Sequence, residues 1–315
     1  MKVYLKHILH ITVFLIIFVV ILLGLSRLVV PKNGLNAADT DIDQNNGIIG
    51  EKENTIDVLF LGDSEAYSAF VPMLLWEQYG ITSYCCGTSA QTLDNTESYL
   101  MTCLERQTPE YVILETDTIF REASFDASFL QKANMVFPVF LYHDRWKSIC
   151  NNIFTQKNKN ELKDYAKGYK YTDAVNPASV KGYMKADKTV KEVSALNKNY
   201  ISNINEKCKS KGAKLILVST PSTQNWDMAK HNGITQLADE LKLEYIDMNL
   251  LQKEIPINWE KDTRDKGDHL NYAGASKVTR YLGELFSKNE RMADHRSDPD
   301  YESWNRSLAE FKKQF

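Results

Sequence analysis

Apolar and polar positions divide the chain into three stretches with different patterns. Residues 8–25 read ILHITVFLIIFVVILLGL without a charged side chain, and apolar character resumes at Leu28-Val29-Val30 after Ser26-Arg27. A helix crosses the hydrocarbon core with about 20 such residues. The apolar side chains cover every helical face, unlike the single stripe of a buried soluble helix, so residues 1–30 are predicted to hold one transmembrane helix. Residues 31–54 turn polar, with Gly, Asn and acidic residues and no sustained period, as in a tether. The folded domain is expected to begin at Thr55.

From there the pattern alternates. Short apolar runs at 56–61, 83–86, 111–114, 214–219 and 245–247 read as strands. Helical spacing follows at 72–80, 92–107, within 188–210, at 227–241 and at 273–287, the first opened by Pro72 and closed by Gly80. Strands alternating with helices predict an α/β fold with a parallel sheet covered on both faces. Ligands of such sheets bind beyond the carboxyl ends of the strands. An insert at 118–187 breaks the alternation and is dense in aromatic residues, among them Phe120, Phe125, Phe129, Tyr142, Trp146 and Tyr169. It is expected to pack as a cap or lobe over one sheet edge. The tail, 291–315, places Tyr301, Trp304, Leu308 and Phe311 near helical spacing and should dock as a helix.

Composition narrows the function classes. The 315 residues are 43% hydrophobic and 25% charged with net charge −3, a globular and not a disordered composition. The mean hydropathy of −0.38 excludes a polytopic membrane protein, and the sequence pI near 6.1 shows no basic excess for nucleic acid. Removing Lys2, Lys6 and Arg27 of the N-terminal block from the 38 basic residues leaves 35 against 41 acidic ones. The outer part is thus mildly acidic, with no polybasic arm for anionic lipid. The apolar core is longer than the 7–15 residues of a cleaved signal, and Asn36-Ala37-Ala38 is a poor cleavage site, which favours an uncleaved signal-anchor. Lys2 and Lys6 precede it, so the N-terminus is expected in the cytoplasm and the catalytic domain outside, although Arg27 and Lys32 oppose that bias. The odd set Cys85, Cys86, Cys103, Cys150 and Cys208 fits no disulfide framework, and no Cys/His cluster suggests a metal. No cofactor is expected.

The chemistry lies after two of the strands. The first ends in Leu61-Gly62-Asp63-Ser64-Glu65, which places Ser64 at a strand-to-helix turn. Asp265-Lys266-Gly267-Asp268-His269 precedes the last helix. A serine hydroxyl becomes a nucleophile when a base takes its proton, and that base needs a carboxylate to fix its tautomer. Either segment alone is an ordinary turn; together on the ligand side of one sheet they suggest a Ser-His-Asp constellation.

These residues resemble the SGNH or GDSL-type hydrolases over roughly 55–290. The resemblance implies a flavodoxin-like parallel sheet, the SGNH hydrolase fold, with Ser64 as nucleophile and His269 as base. Gly87 falls where that family carries its oxyanion-hole glycine. HLNYAGASKVTRYL from His269, Thr220-Pro221-Ser222, and Tyr142-His143-Asp144-Arg145-Trp146 resemble membrane-anchored members that accompany membrane-bound O-acyltransferases. Those members serve teichoic-acid D-alanylation and alginate or peptidoglycan O-acetylation. The resemblance implies a multi-pass acyltransferase and a cell-envelope polysaccharide or teichoic-acid-like polymer as partners.

Two departures leave alternatives open. Where the family has an asparagine after the third strand, this chain has Glu115-Thr116-Asp117, and an ionised Asp repels a developing oxyanion. The hole would then rest on Ser64 and Gly87 N–H groups, with Thr116 as a third candidate. Position 266 is Lys, so either Asp265 or Asp268 orients His269, Asp265 having the easier reach. Asp63, Asp117, His143, Arg145 and Trp146 are candidate substrate contacts. The expected function is O-acyl transfer to an envelope polysaccharide through acyl-Ser64. An envelope carbohydrate esterase and a non-catalytic SGNH-fold scaffold subunit are the alternatives.

Overall fold

The computed structural model describes residues 2–29, 46–122, 137, 139 and 164–314. The chain divides into two compact units, Gly34–Ala123 with Leu162–Phe315, and Met1–Asn33 with Ser124–Glu161.

In the larger unit, five strands form one parallel sheet: β1 (Val58–Gly62), β2 (Ser83–Gly87), β3 (Tyr111–Glu115), β4 (Lys214–Ser219) and β5 (Glu244–Asp247). Their order is β2-β1-β3-β4-β5, with every neighbouring pair parallel. This is the flavodoxin-like doubly wound order. The strands are apolar at successive positions because both faces are covered. Leu59, Leu61, Val112, Leu114, Leu215 and Leu217 point to one side, and Val58, Phe60, Ile113, Ile216 and Val218 to the other.

The helices are α1 (Lys2–Val29) in the smaller unit, then α2 (Ser64–Ala69), α3 (Pro72–Tyr79), α4 (Leu93–Leu104), α5 (Ala195–Ser210), α6 (Met228–Leu241), α7 (Tyr272–Phe286) and α8 (Glu302–Phe311). Leu93, Leu100, Ile201, Ile204, Ile234 and Leu237 from α4, α5 and α6 cover the first face. Ala66, Val278, Leu282 and Phe286 from α2 and α7 cover the second. Local chemistry sets the ends: Ser194 Oγ accepts from Asn197 N, Asp227 Oδ1 from Lys230 N, and Asn271 Oδ1 from the first turn of α7. The short helix α2 lies where the sequence shows too few residues for a helical period.

One expectation changes, and another falls largely outside the described residues. The tether ends earlier than Thr55, because Asn46–Gly50 forms a 3-10 turn whose Ile48 is buried in the core, and Glu51 pairs with Lys167 Nζ at 2.5 Å. Burial of Ile48 is what draws this polar stretch onto the domain, while Ile49 stays exposed. Of the insert at 118–187, residues 123–136, 138 and 140–163 lie outside the described residues. Residues 164–193 run mostly as turns and irregular backbone along the larger unit. There Lys167 O accepts from Cys85 N, Lys170 N donates to Tyr67 O, Asn176 N to Thr263 O, Ala178 N to Trp259 O, and Lys191 N to Ala229 O. Those bonds satisfy a strap that has no ladder of its own.

In the smaller unit, α1 exposes Ile8, Phe14 and Val20 alike, and residues 6–27 are long and apolar enough to cross a membrane. Ser26 Oγ accepts from Val139 N. Cys85, Cys86, Cys103 and Cys208 are buried free thiols, with Cys86 and Cys103 sulfurs 3.7 Å apart.

The tail docks as α8. Trp304, 1% exposed, packs on Trp76 with ring centroids 5.6 Å apart and lies under Lys167 Nζ at 4.6 Å. Trp304→Ala should therefore lower unfolding stability by about 3–5 kcal/mol, read from urea melts of the full chain. A loss below about 1 kcal/mol would show the tail to be peripheral.

Candidate active site

The site is built on the approach of β1 and β2 at their carboxyl ends, where Gly62 pairs with Gly87. Gly62 has φ +153, and a Cβ there would meet Glu115 Cβ at 2.7 Å; one on Gly87 would meet Asp63 O at 2.9 Å. Only glycine lets the chain turn this close to its neighbours. Asp63 then caps α2, its Oδ1 accepting from Glu65 N at 3.0 Å. From Val58 to Trp76 every residue is buried except Ser64. The turn thus opens to solvent at the serine.

The second part is the loop before α7. Lys266 and Gly267 both have positive φ, 66° and 91°, which folds the chain back on itself. The side chain of Asp265 then reaches His269 four residues on, with Oδ2 2.6 Å from Nδ1 and Oδ1 accepting from His269 N at 2.7 Å. The loop is pinned by Thr223 N to Gly267 O, by Ser222 Oγ to Asp268 O, and by Thr263 Oγ1 to His269 O. The strap adds Lys266 N to Asn176 O and Tyr272 N to Thr172 O. A carboxylate on Nδ1 assigns the proton to that nitrogen and leaves Nε2 as the basic one. Nε2 is buried and has no hydrogen-bond partner among the described residues.

Of the two candidate acids, Asp265 holds the ring. Asp268 Oδ2 lies 3.6 Å from Nδ1, and its Oδ1 accepts from Asn225 Nδ2 at 2.5 Å. The same amide donates to Glu65 Oε1 at 2.8 Å. Ligand atoms of Glu65, Asp268 and His269 lie within 4.8 Å of one another, which joins the Ser64 turn to the His269 loop. This trio is also the group of described residues closest to a cation-binding set, though Asn225 already donates to both of its carboxylates.

Beneath Ser64 lies a cluster of acids. Asp63, Glu65, Glu115 and Asp117 are all buried. Arg121 donates to Asp63 Oδ2 and Asp117 Oδ2, each at 2.8 Å, and Lys230 Nζ to Asp117 Oδ1 at 2.7 Å. Burial, then Asp117, raises the Asp63 carboxyl above its usual range, with Arg121 opposing. Burial, then the charges of Glu115 and Asp63, holds Glu65 well above the ordinary value. Burial, then Asp63 and Asp117, does the same to Glu115.

This arrangement corrects three expectations. Thr116 is not an oxyanion donor: its N–H donates to Val218 O and its hydroxyl is bonded to Ser219 Oγ at 2.6 Å, both inside the sheet. Asp63 and Asp117 do not present open carboxylates to a substrate, because the cap, Arg121 and Lys230 occupy them. The repulsive charge expected at Asp117 is met by two cations. His143, Arg145 and Trp146 lie outside the described residues. His231 is half-buried with Nδ1 2.7 Å from Asp247 Oδ2. Sequence spacing did not reveal Asn225, Glu65, Arg121 or Lys230. The one available signal was four acids flanking two strand ends, Asp63-Ser64-Glu65 and Glu115-Thr116-Asp117.

The fold and site define a doubly wound α/β domain with an Asp-His pair and a half-buried serine at the carboxyl edge of its sheet. No protein-family profile and no curated protein matches the chain. Among solved structures it is similar to the lipase/acylhydrolase from Enterococcus faecalis, at 10% identity and TM-score 0.42, covering 77% of this chain and 100% of that one. It is also similar to the psychrotrophic esterase EstA from Pseudoalteromonas sp., at 12% identity and TM-score 0.40, covering 73% and 96%. A third is a GDSL-like lipase from Bacteroides thetaiotaomicron, at 13% identity and TM-score 0.36, covering 73% and 87%.

Glu65 yields a pH prediction. Its folded pKa lies above the ordinary 4.5, so below that value both folded and unfolded chains are protonated and it costs nothing. As pH rises, the unfolded chain releases its proton first, and stability falls until the folded pKa is passed. Glu65→Gln does not titrate. Its Tm relative to wild type should rise steadily from pH 4 to pH 7; a pH-independent difference would mean that Glu65 is ionised in the fold.

Proposed function

We propose that the chain is a membrane-anchored, SGNH-like serine acyl-ester enzyme that transfers acyl groups to a cell-envelope polysaccharide. The observation that carries the catalytic part is the Asp265–His269 pair, whose Nε2 is unpartnered among the described residues and whose ring clusters with Glu65, the residue after the half-buried Ser64. His269 Nε2 takes the Ser64 proton as Oγ attacks the acyl carbonyl, and Asp265 stabilises the imidazolium. The N–H groups of Ser64 and Gly87 hold the oxyanion. The imidazolium returns its proton to the departing alkoxide, leaving acyl-Ser64. An acceptor hydroxyl, deprotonated by His269, then attacks that ester and regenerates the serine.

Transfer over hydrolysis is favoured by α1, whose length and composition suit a single membrane span, with the domain outside and a multi-pass O-acyltransferase supplying acyl groups. The likeness of Ser64 and His269 blocks to anchored acylation proteins supports the same reading.

The full chain in detergent, given 4-nitrophenyl acetate, should release nitrophenolate in a burst and add one acetyl to Ser64 by mass spectrometry. Ser64→Ala and His269→Ala should abolish the adduct. Asp265→Asn should slow acylation by roughly 10³–10⁴-fold, and Asp268→Asn by far less. Deacylation faster with envelope polysaccharide than with water indicates transfer, and rapid turnover in water alone indicates an esterase. A folded wild type that never acylates would leave the scaffold reading.

A further inference from the structure

The site holds two carboxylates for one imidazole N–H. Asp265 takes it at 2.6 Å, and Asp268 stands 3.6 Å away with its other oxygen held by Asn225. Each anion near an imidazole favours its protonated form, whereas a general base must be neutral at working pH.

Asn225 sits in the turn after β4, pinned on both sides. Its N–H donates to Ser222 Oγ at 3.1 Å, its carbonyl accepts from Lys230 Nζ at 2.6 Å, and the next residue, Trp226, donates Nε1 to Asp247 Oδ2. The side-chain amide is therefore aimed by its backbone. One N–H goes to Asp268 and the other to Glu65, the residue after Ser64. No other described side chain bridges the serine turn and the histidine loop in this way.

We propose that Asn225 is a positioning residue that restrains Asp268 from the His269 ring, leaving Asp265 as its sole hydrogen-bonded carboxylate. The inference builds on the reading of His269 as the base. Other groups facing the ring are Glu65, whose carboxyl is pushed well above its ordinary range by burial and by Glu115 and Asp63, and Arg264, whose Nε is 3.5 Å from Asp265 Oδ2. Neither is bonded to Nδ1. Released from the amide, Asp268 needs a shift of under an ångström to share that proton.

The test reads His269 directly. Histidine-labelled full chain in detergent is titrated by NMR, with His269→Gln assigning the signal, and Ser64 acylation by 4-nitrophenyl acetate is followed against pH in parallel. Asn225→Ala should raise the His269 pKa by on the order of half to one unit and move the acid limb of acylation the same way. In an Asp268→Asn background the same substitution should move neither. Asn225→Leu, close in volume and lacking both donors, serves if the alanine variant does not fold. An unmoved pKa, or an equal shift in both backgrounds, would overturn the proposal in favour of a merely structural amide. The two readings separate: a shifted pKa in a chain whose Ser64 never acylates removes the catalytic reading and keeps the positioning one. Acylation with an unshifted pKa does the reverse.

Discussion

Burying four carboxyl groups under one turn is the constraint on which the site depends. Asp63, Glu65, Glu115 and Asp117 come from the ends of β1 and β3, so their proximity follows from strand pairing and not from flexible side chains. An unpaired buried charge is too costly to keep. The cluster divides its load in two ways. Asp63 and Asp117 face Arg121 and Lys230, while Glu65 and Glu115 have their carboxyls pushed towards the neutral form. Two acids paired with cations and two whose carboxyls are pushed towards the neutral form lower the net negative charge next to Ser64.

The Asp265–His269 bond depends on the same economy of backbone. Its loop has two consecutive left-handed residues, one of them Lys266, a residue type for which that conformation is uncommon. Such a turn persists when its surroundings over-determine it. Here they do: Thr223, Ser222 and Thr263 hold three of its carbonyls, and the strap holds Lys266 and Tyr272 N–H groups. Gly267 could not be another residue, since a Cβ would fall 2.0 Å from Thr223 Oγ1. The strap, which has no regular structure, thereby fixes the histidine.

The strands were legible because each is a short apolar run buried on both faces, and all five fall within two residues of their expected ends. Glycine at the ends of β1 and β2, and the serine and histidine after strands, were legible for the same reason. The strap was not, because its bonds go to distant residues such as Thr263 and Trp259 and leave no period in its own sequence. Asp265 over Asp268 turned on the φ of Lys266 and on Asn225, forty residues upstream, neither of which spacing encodes. Thr116 was misplaced because a residue just past a strand can still belong to the sheet's hydrogen bonding, as its N–H to Val218 does.

On the proposed reading, the choice between transfer and hydrolysis does not lie in Ser64, His269 and Asp265, since water and a sugar hydroxyl would use the same Nε2. Anchoring alone does not decide it either. A tether raises a neighbour's effective concentration to the millimolar range, far below water at about 55 M, whereas a well-oriented bound hydroxyl reaches effective molarities of 10⁵ or more. On the proposed reading, acyl-Ser64 survives to meet a polymer only if the acceptor is held against it. That demand falls on surfaces beyond the sheet, for which the chain carries additional length in the docked tail and in the aromatic-rich sequence that includes His143, Arg145 and Trp146.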